Sequence, residues 1–331
     1  MEKLRWGVLG CAGIGWDRTL PGIANSSNGF IYAIASRSEE KLAKYAEKFK
    51  PEKTYLSYDA LLEDPAVDAV YIPLPNALHK EWVIKAAEHG KHILCEKPMA
   101  LTEAEAVEMF AAAENAGVLL AEAYAYRHAP LVQKVRALIN EGAVGRVQYI
   151  ESTHTNQLRD RANIRFDKTL GGGAFYDVAC YNISLAGYLT GEEPQDIKVF
   201  TQLDEAGEVD AVNAVLLQYA SGTIAMLYDA INCYPKGCFS VLGDAGRIDV
   251  PNKFNSRGLT TVTVSNGGRG QNVEIVDEVK TSYSVFCPDN YLLEMEQFAR
   301  CVLEGETPEV TKEETIRNAR VMDAVIRASK G

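Results

Sequence analysis

Short apolar runs alternate with amphipathic stretches over the first 125 residues, and this pattern is typical of strands and helices that alternate along a chain. The predicted strands cover residues 4–9, 30–36, 69–73, 92–95 and 118–123. Asn76 is expected to cap a helix between the third and fourth strands, and Gly90 to end it. Strands with nearly continuous apolar character are buried on both faces, so residues 1–125 are expected to form a doubly wound parallel sheet.

The pattern changes after Gly145, because predicted strands then follow one another without helices between them. They cover residues 147–155, 212–219, 223–231 and 260–264, with a tight hairpin turn at 220–222. Helices are predicted at 174–189 and from Asp289, and a further helix opens with Thr311 and Glu314 at capping-box spacing. Residues 126–331 are therefore expected to form a second α+β domain on an open, largely antiparallel sheet.

Length and composition narrow the functional classes. The 331 residues are enough for two domains, and the net charge of −11 disfavours binding to nucleic acid or to an anionic membrane. No apolar run approaches the ~18 residues of a membrane span. The seven cysteines are scattered and never spaced CxxC, which favours a reducing compartment. We expect a cytoplasmic protein in which an anionic ligand is held by a local positive site.

The segment 10–15, GCAGIG, lies between the first strand and the first helix. A dinucleotide-binding turn needs a glycine for the reversal, a small residue beside the pyrophosphate and a glycine for close packing of helix on strand. Gly10, Ala12 and Gly15 match these positions, and Gly13 adds room beside Ala12. Pyrophosphate would lie on the amide groups at the start of the helix, which includes Ile14.

The second strand ends in Ser36 and Arg37, followed by Ser38, where an NAD-specific site would place an acid. A guanidinium beside two hydroxyl groups suits a 2′-phosphate better, and Lys41 adds a further positive charge. NADP(H) is therefore the preferred cofactor and NAD(H) the alternative. Arg37 and Lys41 as solvated residues at a helix start remain a second interpretation.

Ligands of open α/β sheets bind beyond the carboxyl ends of the strands. The residues that follow the third and fourth strands are therefore candidate cofactor contacts, among them Pro73, Asn76, His79, Glu96 and Lys97. Lys97 stands where its strand leaves the sheet, and would direct an ammonium group toward a nicotinamide ring. The alternative is an exposed lysine paired with Glu96.

A second candidate segment, 170–182, reads LGGGAFYDVACYN. Three glycines allow a loop to approach a ligand closely, and the helix that they open carries Asp177 and Tyr181 four residues apart on one face. An acid and a phenol can thus enter one pocket together. A tyrosine at helical spacing is also a common core residue, so both interpretations stay open.

Two further sets of residues have competing interpretations. The loop 157–168 contains Arg159, Arg161 and Arg165, which either cover a pocket and bind a charged substituent or form a solvated surface. His89 and His92 could suggest a metal site, but one ends a helix and the other begins a strand. We therefore expect no metal.

The motifs GCAGIG, ASRS, PLPNALH, GKHILCEKP and GGGAFYDVACY resemble, in order and spacing, those of the Gfo/Idh/MocA oxidoreductase family. The resemblance covers essentially the whole chain. It implies a Rossmann domain followed by the α+β domain, with Lys97 as the catalytic lysine and Asp177 and Tyr181 in the acid and proton-transfer positions. Tyr181 resembles the branch with glucose-fructose oxidoreductase, NADP-dependent xylose dehydrogenase and dimeric dihydrodiol dehydrogenase. The segment 122–130, EAYAYRHAP, implies a substrate-side role for Arg127.

The function that this resemblance implies is hydride transfer between a nicotinamide cofactor and a carbonyl or secondary alcohol of a sugar or sugar-like polyol. A redox-assisted glycoside-modifying enzyme and a non-catalytic dinucleotide sensor are the alternatives. The expected partner is a small carbohydrate or polyol, with no nucleic acid and no membrane. One open face of the C-terminal sheet suggests a homodimer or homotetramer.

Overall fold

The computed structural model describes residues 3–251, 254, 256–269 and 275–330. The chain divides into two compact units. The first comprises the chain up to His128 together with Asp289–Ala319, and the second comprises Ala129–Pro288 together with the residues from Arg320 onward. A single boundary near residue 125 differs from this division, because the chain returns to the first unit after Pro288.

The strands, in chain order, are β1 (Leu4–Leu9), β2 (Gly29–Ala35), β3 (Lys53–Tyr55), β4 (Ala69–Ile72), β5 (His92–Glu96), β6 (Leu120–Ala123), β7 (Val147–Gln157), β8 (Pro194–Leu203), β9 (Asp210–Tyr219), β10 (Ile224–Ala230), β11 (Asn232–Gly243), β12 (Gly246–Val250), β13 (Gly258–Arg269) and β14 (Ile275–Cys287). The helices are α1 (Leu20–Asn25), α2 (Glu39–Phe49), α3 (Tyr58–Leu62), α4 (His79–Glu88), α5 (Glu103–Ala116), α6 (Pro130–Asn140), α7 (Cys180–Thr190), α8 (Asn290–Glu304) and α9 (Lys312–Ala328). Single π-helical turns, Gly15–Thr19 and Phe175–Ala179, lead directly into α1 and α7.

Within the described residues, the first unit holds a six-stranded sheet in the order β3-β2-β1-β4-β5-β6, and all neighbouring strands are parallel. The strand order reverses between β1 and β4. This reversal creates the crevice in which open α/β sheets bind ligands. The glycine turn follows β1 directly, so it lies at this crevice.

Apolar side chains cover both faces of this sheet. On one face, Trp6 packs against Phe298 of α8 with ring centroids 5.0 Å apart, and Met295 joins the same cluster. On the other face, Trp82 and Phe110 belong to a cluster formed by α4, α5 and the strands. The apolar stripe of α8 therefore completes the first core, although it follows 160 residues of the second unit.

The second unit holds a sheet that has eight strands among the described residues, in the order β14-β13-β12-β11-β7-β10-β9-β8. Neighbouring strands are antiparallel except for β7 and β10, which run parallel. The predicted hairpin is present as β9 and β10, with Gly222 at φ +88° in the turn. The predicted α/β class, with a parallel and a largely antiparallel sheet, is confirmed.

The helix ends test the predicted caps. At α9, Thr311 Oγ1 accepts the N–H of Glu314, and Glu314 Oε2 accepts the N–H of Thr311, so the predicted capping box is confirmed. The predicted cap at Asn76 is wrong. Asn76 begins a short 3₁₀ turn, and α4 starts three residues later at His79 without a side-chain cap.

Candidate active site

The glycine turn after β1 has the backbone geometry that a dinucleotide site needs. Gly10 has φ +114°, a conformation that favours glycine, and a Cβ there would lie 2.9 Å from Leu74 Cδ2. Apart from its chain neighbours, no atom of the described residues lies within 4 Å of a Cβ placed on Gly13, so the space beside Gly13 is open. A Cβ on Gly15 would lie 3.2 Å from Leu20 Cδ1, which shows how closely the turn packs on the helix.

Hydrogen bonds fix this turn from both sides. The Gly10 N–H donates to the carbonyl of Ala35 at 2.9 Å, and the Tyr45 hydroxyl donates to the carbonyl of Ala12 at 2.6 Å. The helix that follows leaves its first N–H groups without intrahelical partners. The open space, the rigid backbone and these donors together fit a pyrophosphate group.

The end of β2 presents positive charge and hydroxyl groups. Ser36 is buried and its Oγ accepts the N–H of Ser38, while Ser38 Oγ caps α2 by accepting the N–H of Lys41. The side chains of Arg37 and Lys41 are exposed, and the Arg37 guanidinium lies 5.8 Å from the ring centroid of Tyr58. This set fits the 2′-phosphate of NADP(H), as the sequence predicts.

Lys97 follows β5 in a turn that His79 ties to the neighbouring strand end. The imidazole Nδ1 lies 3.0 Å from the carbonyl oxygen of Pro98, and Nε2 lies 2.8 Å from that of Leu74. His79 is fully buried, and burial lowers the pKa of its imidazole. These contacts favour a positioning role over the predicted contact with cofactor.

Glu96 is held by a chain of buried hydroxyl groups. Thr19 Oγ1 donates to the Tyr71 hydroxyl at 2.9 Å, and the Tyr71 hydroxyl donates to Glu96 Oε1 at 2.5 Å. Glu96 Oε2 accepts the backbone N–H of Lys97 at 3.3 Å. Burial raises the pKa of Tyr71 well above its usual range, so Tyr71 remains a hydrogen-bond donor. The chain links the helix after the glycine turn to the backbone of Lys97.

Two buried acids in this region are absent from the sequence-based site. Glu122 lies on β6 and its Oε1 accepts the N–H of Met99, and Glu294 is a buried residue of α8. Burial raises the pKa of both carboxyl groups. Glu294 falls within the apolar stripe of α8 beside Met295. A carboxyl group within an apolar stripe is the sequence signal that could have identified this residue.

Arg127 is buried and ion-paired, in contrast to the substrate-side role that the resemblance implies. Its Nη1 donates to Glu314 Oε1 at 3.1 Å, and its Nη2 donates to the carbonyl of Glu309 at 3.3 Å. The side chain is only 2% exposed. These contacts fasten the start of α9 and favour a structural role; the role in substrate binding stays a prediction.

The three glycines before Tyr181 allow close approach of the protein's own backbone. Gly172 donates its N–H to the carbonyl of Asp167, and Gly173 donates to that of Arg165. A Cβ on Gly172 would lie 2.6 Å from the Arg165 carbonyl oxygen. Gly172 is therefore required by the packing of the loop on its own backbone, and not by the approach to a ligand that the sequence suggests.

Asp177 and its helix are anchored by charged neighbours. Arg165 Nε lies 2.6 Å from Asp177 Oδ1, in a pair whose aspartate is 9% exposed. Asp210 Oδ2 accepts the N–H of Phe175 at 2.7 Å and the side-chain amide of Asn213 at 2.7 Å. The partly buried Asp210 thus holds the first turn of the helix that carries Asp177.

Tyr181 lies in a cluster of three rings. Its ring centroid is 5.1 Å from that of His154 and 4.8 Å from that of Phe254. The next residue, Asn182, is fully buried and accepts the Ser152 hydroxyl at 2.6 Å. The phenol ring is therefore set by the sheet strand β7 and by the ring of Phe254, which sequence reasoning did not identify.

The arginines of loop 157–168 make separate contacts. Arg161 Nη2 lies 2.5 Å from the buried Asp204 Oδ2 and its guanidinium stacks on Phe166 at 4.2 Å, while Arg159 donates to Gln157. With Arg165 on Asp177, two of the three arginines are paired with acids. The loop is thus more than a solvated surface.

Among the described residues, no three His, Cys, Asp or Glu side chains converge as a metal site requires. His89 Nδ1 lies near the carbonyl of Lys85, whereas His92 Nδ1 accepts the N–H of Leu119. None of the described helices combines the length and the apolar character that a membrane span needs.

Replacement of Arg37 by Ala tests the 2′-phosphate site. Loss of one charge-assisted hydrogen bond should raise KM for NADP⁺ roughly 10- to 100-fold and leave KM for NAD⁺ nearly unchanged. Steady-state kinetics with both cofactors measures this, and Lys44→Ala on the same helix is the matched control. Equal effects on the two cofactors would contradict the assignment.

Replacement of Gly172 by Ala tests the close packing of the loop. The added methyl group must displace backbone, so the free energy of unfolding should fall by about 1–3 kcal/mol. Gly13→Ala is the control, since its methyl group meets open space. Thermal unfolding without cofactor compares them, and equal melting temperatures for the two variants would refute the packing argument.

Residues 4–124 match the family described as an oxidoreductase family with an NAD-binding Rossmann fold, and residues 132–249 match the GFO/IDH/MocA C-terminal domain. A D-xylose 1-dehydrogenase (NADP(+)) from Haloferax volcanii is 35% identical over 99% of this chain and 98% of its own length.

Solved structures are similar over the same extent. A 3-ketoreductase from Actinomadura kijaniata, in complex with NADP and TDP-benzene, has a TM-score of 0.91 and 30% identity over 99% of this chain and 98% of its own. An aldose-aldose oxidoreductase from Caulobacter crescentus, complexed with glycerol, has a TM-score of 0.89 and 27% identity over 99% and 98%. The predicted family and the oxidoreductase class are confirmed, and NADP stands in the names of the xylose dehydrogenase and of the ketoreductase complex. The chain belongs to the GFO/IDH/MocA family of oxidoreductases.

Proposed function

We propose that this protein is an NADP(H)-preferring oxidoreductase that interconverts a secondary alcohol and a carbonyl group on a sugar or sugar-like polyol. The names of its relatives, a D-xylose 1-dehydrogenase, a 3-ketoreductase and an aldose-aldose oxidoreductase, all lie within this class. The observation that carries the proposal is Lys97 at the carboxyl end of β5, in the same unit as a glycine turn that fits a dinucleotide. Ligands of open parallel sheets bind beyond such strand ends.

Different residues of the first unit would bind different parts of the cofactor. The backbone of segment 10–15 would hold the pyrophosphate, and Ser36, Arg37 and Lys41 would hold the 2′-phosphate. Pro73 and Asn76, at the carboxyl edge of β4, would contact the rest of the dinucleotide. Bound NADP(H) supplies the hydride acceptor or donor.

A side chain of the protein must accept one proton during oxidation of the substrate or donate one during its reduction. Oxidation of an alcohol to a carbonyl releases a proton together with the hydride, and reduction consumes one. An unperturbed phenol, with a pKa of ~10, is a weak base, but a nearby cation stabilises the phenolate and a developing alkoxide. We assign the proton to the phenol oxygen of Tyr181 and the positive charge to the ammonium of Lys97. Asp177, fixed by Arg165, would orient a substrate hydroxyl.

Replacement of Tyr181 by Phe tests this assignment. The ring contacts remain, while loss of the proton-transfer group should lower kcat by ~10²–10⁴ and leave the Kd for NADPH nearly unchanged. Nicotinamide absorbance with NADP⁺ and a panel of D-xylose, D-glucose and myo-inositol gives kcat, with Tyr188→Phe on the same helix as control. Equal losses of turnover and cofactor affinity would count against the role.

The open face of the eight-stranded sheet is proposed to pack on a second copy of the chain. Met226 and Leu216 are register partners on β10 and β9, and both are exposed. Ile224 and Phe200 extend the exposed apolar surface on the same face. A contiguous apolar face of this kind marks an association surface. Both a homodimer and a homotetramer are consistent with such a surface. The location of the protein in the cytoplasm stays a prediction from the scattered cysteines.

Replacement of Met226 by Lys tests this surface. A charge at the centre of an apolar interface should shift the oligomer toward monomer, because the ammonium would lose water on association. Light scattering after size exclusion measures the mass. Leu56→Lys, at an exposed position of the first unit, is the matched control. A monomeric wild-type protein would refute the proposal.

A further inference from the structure

Tyr58 is a buried tyrosine that adjoins the glycine turn of the first unit. It is the first residue of α3. Its ring packs edge-on against Trp82 of α4, with ring centroids 4.9 Å apart and an interplanar angle of 87°. Both rings belong to one apolar cluster of the first unit, so the orientation of the Tyr58 ring is fixed by packing.

The helix that carries Tyr58 lies close to β1 because Gly7 has no side chain. A Cβ on Gly7 would lie 2.7 Å from Leu61 Cδ2. Tyr58 precedes Leu61 by three residues, and residues at this spacing share one helix face. The Tyr58 hydroxyl oxygen lies 3.6 Å from the position of a Cβ on Gly10. The phenol therefore lies beside the turn that would hold the pyrophosphate.

The same ring contacts the arginine that follows β2. The guanidinium carbon of Arg37 lies 5.8 Å from the Tyr58 ring centroid, within the ~6 Å of a cation–π contact. Burial raises the pKa of the Tyr58 hydroxyl, and the positive charge of Arg37 opposes this rise. The distance and the electrostatic effect thus agree on a contact between the two side chains.

This contact limits the freedom of an exposed side chain. Arg37 is exposed, and an arginine that is ordered on binding loses rotamer freedom, which lowers affinity. A rigid ring beside the guanidinium reduces that loss before the ligand binds. The 2′-phosphate is the group that distinguishes NADP(H) from NAD(H), so a gain made at Arg37 raises the affinity for NADP(H) alone.

We propose that Tyr58 is a positioning residue for Arg37 and, through Arg37, a determinant of the preference for NADP(H) over NAD(H). The ring, held by Trp82, keeps the guanidinium at the end of β2 where the 2′-phosphate would bind. This inference rests on the proposed function, which assigns Arg37 to that phosphate. A tyrosine that only fills the core would affect the binding of both cofactors equally.

The first experiment measures the Kd of NADPH and of NADH by nicotinamide fluorescence, without substrate and without turnover. Tyr58→Leu removes the aromatic face and should weaken NADPH about 3- to 10-fold, while the Kd of NADH changes by less than ~2-fold. Tyr55→Leu is the matched control, because that ring packs on the same cluster and its hydroxyl donates to Asp64. Equal weakening of the two cofactors by Tyr58→Leu, or no weakening of NADPH, would overturn the proposal.

The conservative variant Tyr58→Phe separates positioning from packing. Phenylalanine keeps the contact with Trp82 and the aromatic face, so the Kd of NADPH should stay within ~2-fold of wild type. The unchanged Kd of NADH in Tyr58→Leu reports that this variant is folded. An affinity for NADPH as low in Tyr58→Phe as in Tyr58→Leu would contradict the role of the ring.

A double-mutant cycle with Arg37→Ala tests whether Tyr58 acts through Arg37. In the Arg37→Ala background, Tyr58→Leu should change the Kd of NADPH by less than ~1.5-fold, because no guanidinium remains to be positioned. Losses that multiply independently would refute the inference while leaving the NADP(H) preference intact. A wild type that binds NADPH no more tightly than NADH would refute the cofactor assignment of the proposed function, and the inference with it.

Steady-state kinetics supplies a further readout. With the sugar that the wild type oxidises, Tyr58→Leu should raise KM for NADP⁺ about 3- to 10-fold and leave kcat nearly unchanged, because the ring does not touch the reacting atoms. A loss of kcat at saturating NADP⁺ would contradict a role confined to the 2′-phosphate. A selective effect on NADPH binding in a protein that oxidises no sugar would support the inference and refute only the proposed activity.

Discussion

The turn that carries Lys97 depends on buried hydrogen bonds from three separate elements. His79 of α4 lies against the carbonyl of Pro98, Tyr71 of β4 holds Glu96, and Glu122 of β6 accepts the N–H of Met99. Each such bond contributes ~0.5–1.5 kcal/mol, but an unpaired buried partner costs more, so the turn has one favourable arrangement. The position of the ammonium is therefore a property of the whole parallel sheet.

The helix that carries Asp177 and Tyr181 is constrained in a different way. Its first turn is capped by Asp210 from β9, and Gly172 allows the loop backbone at Arg165 to pack against it. Both constraints are steric or electrostatic contacts between segments distant in sequence. They fix the start of the helix, while the sheet residues Ser152 and Asp229 fix Asn182, one residue beyond Tyr181.

Buried acids distinguish the site from an ordinary core. Glu122 and Glu294 are almost inaccessible, and burial raises the pKa of each carboxyl. Apolar residues of similar volume would cost less free energy at neutral pH. Both acids interact electrostatically with Glu96, so the carboxyl edge of the parallel sheet differs in its electrostatics from the surrounding core. The net charge of the whole protein does not reveal this local difference.

The sequence by itself determined the two kinds of sheet, the glycine turn and the basic tip of β2, because these depend on local periodicity and on motifs at fixed spacing. It also marked Lys97, Asp177 and Tyr181 as candidate site residues, and their catalytic roles stay predictions. It also determined the capping box of α9, which is a contact within one turn. Tertiary structure alone decided that α8 completes the first core, that Arg127 and His79 are buried, and that Gly172 serves the loop's own packing. These outcomes depend on contacts between residues far apart in the chain, and a local sequence pattern does not predict such contacts. Burial, which raises the pKa of Glu122 and of Glu294, is a property of the folded chain only.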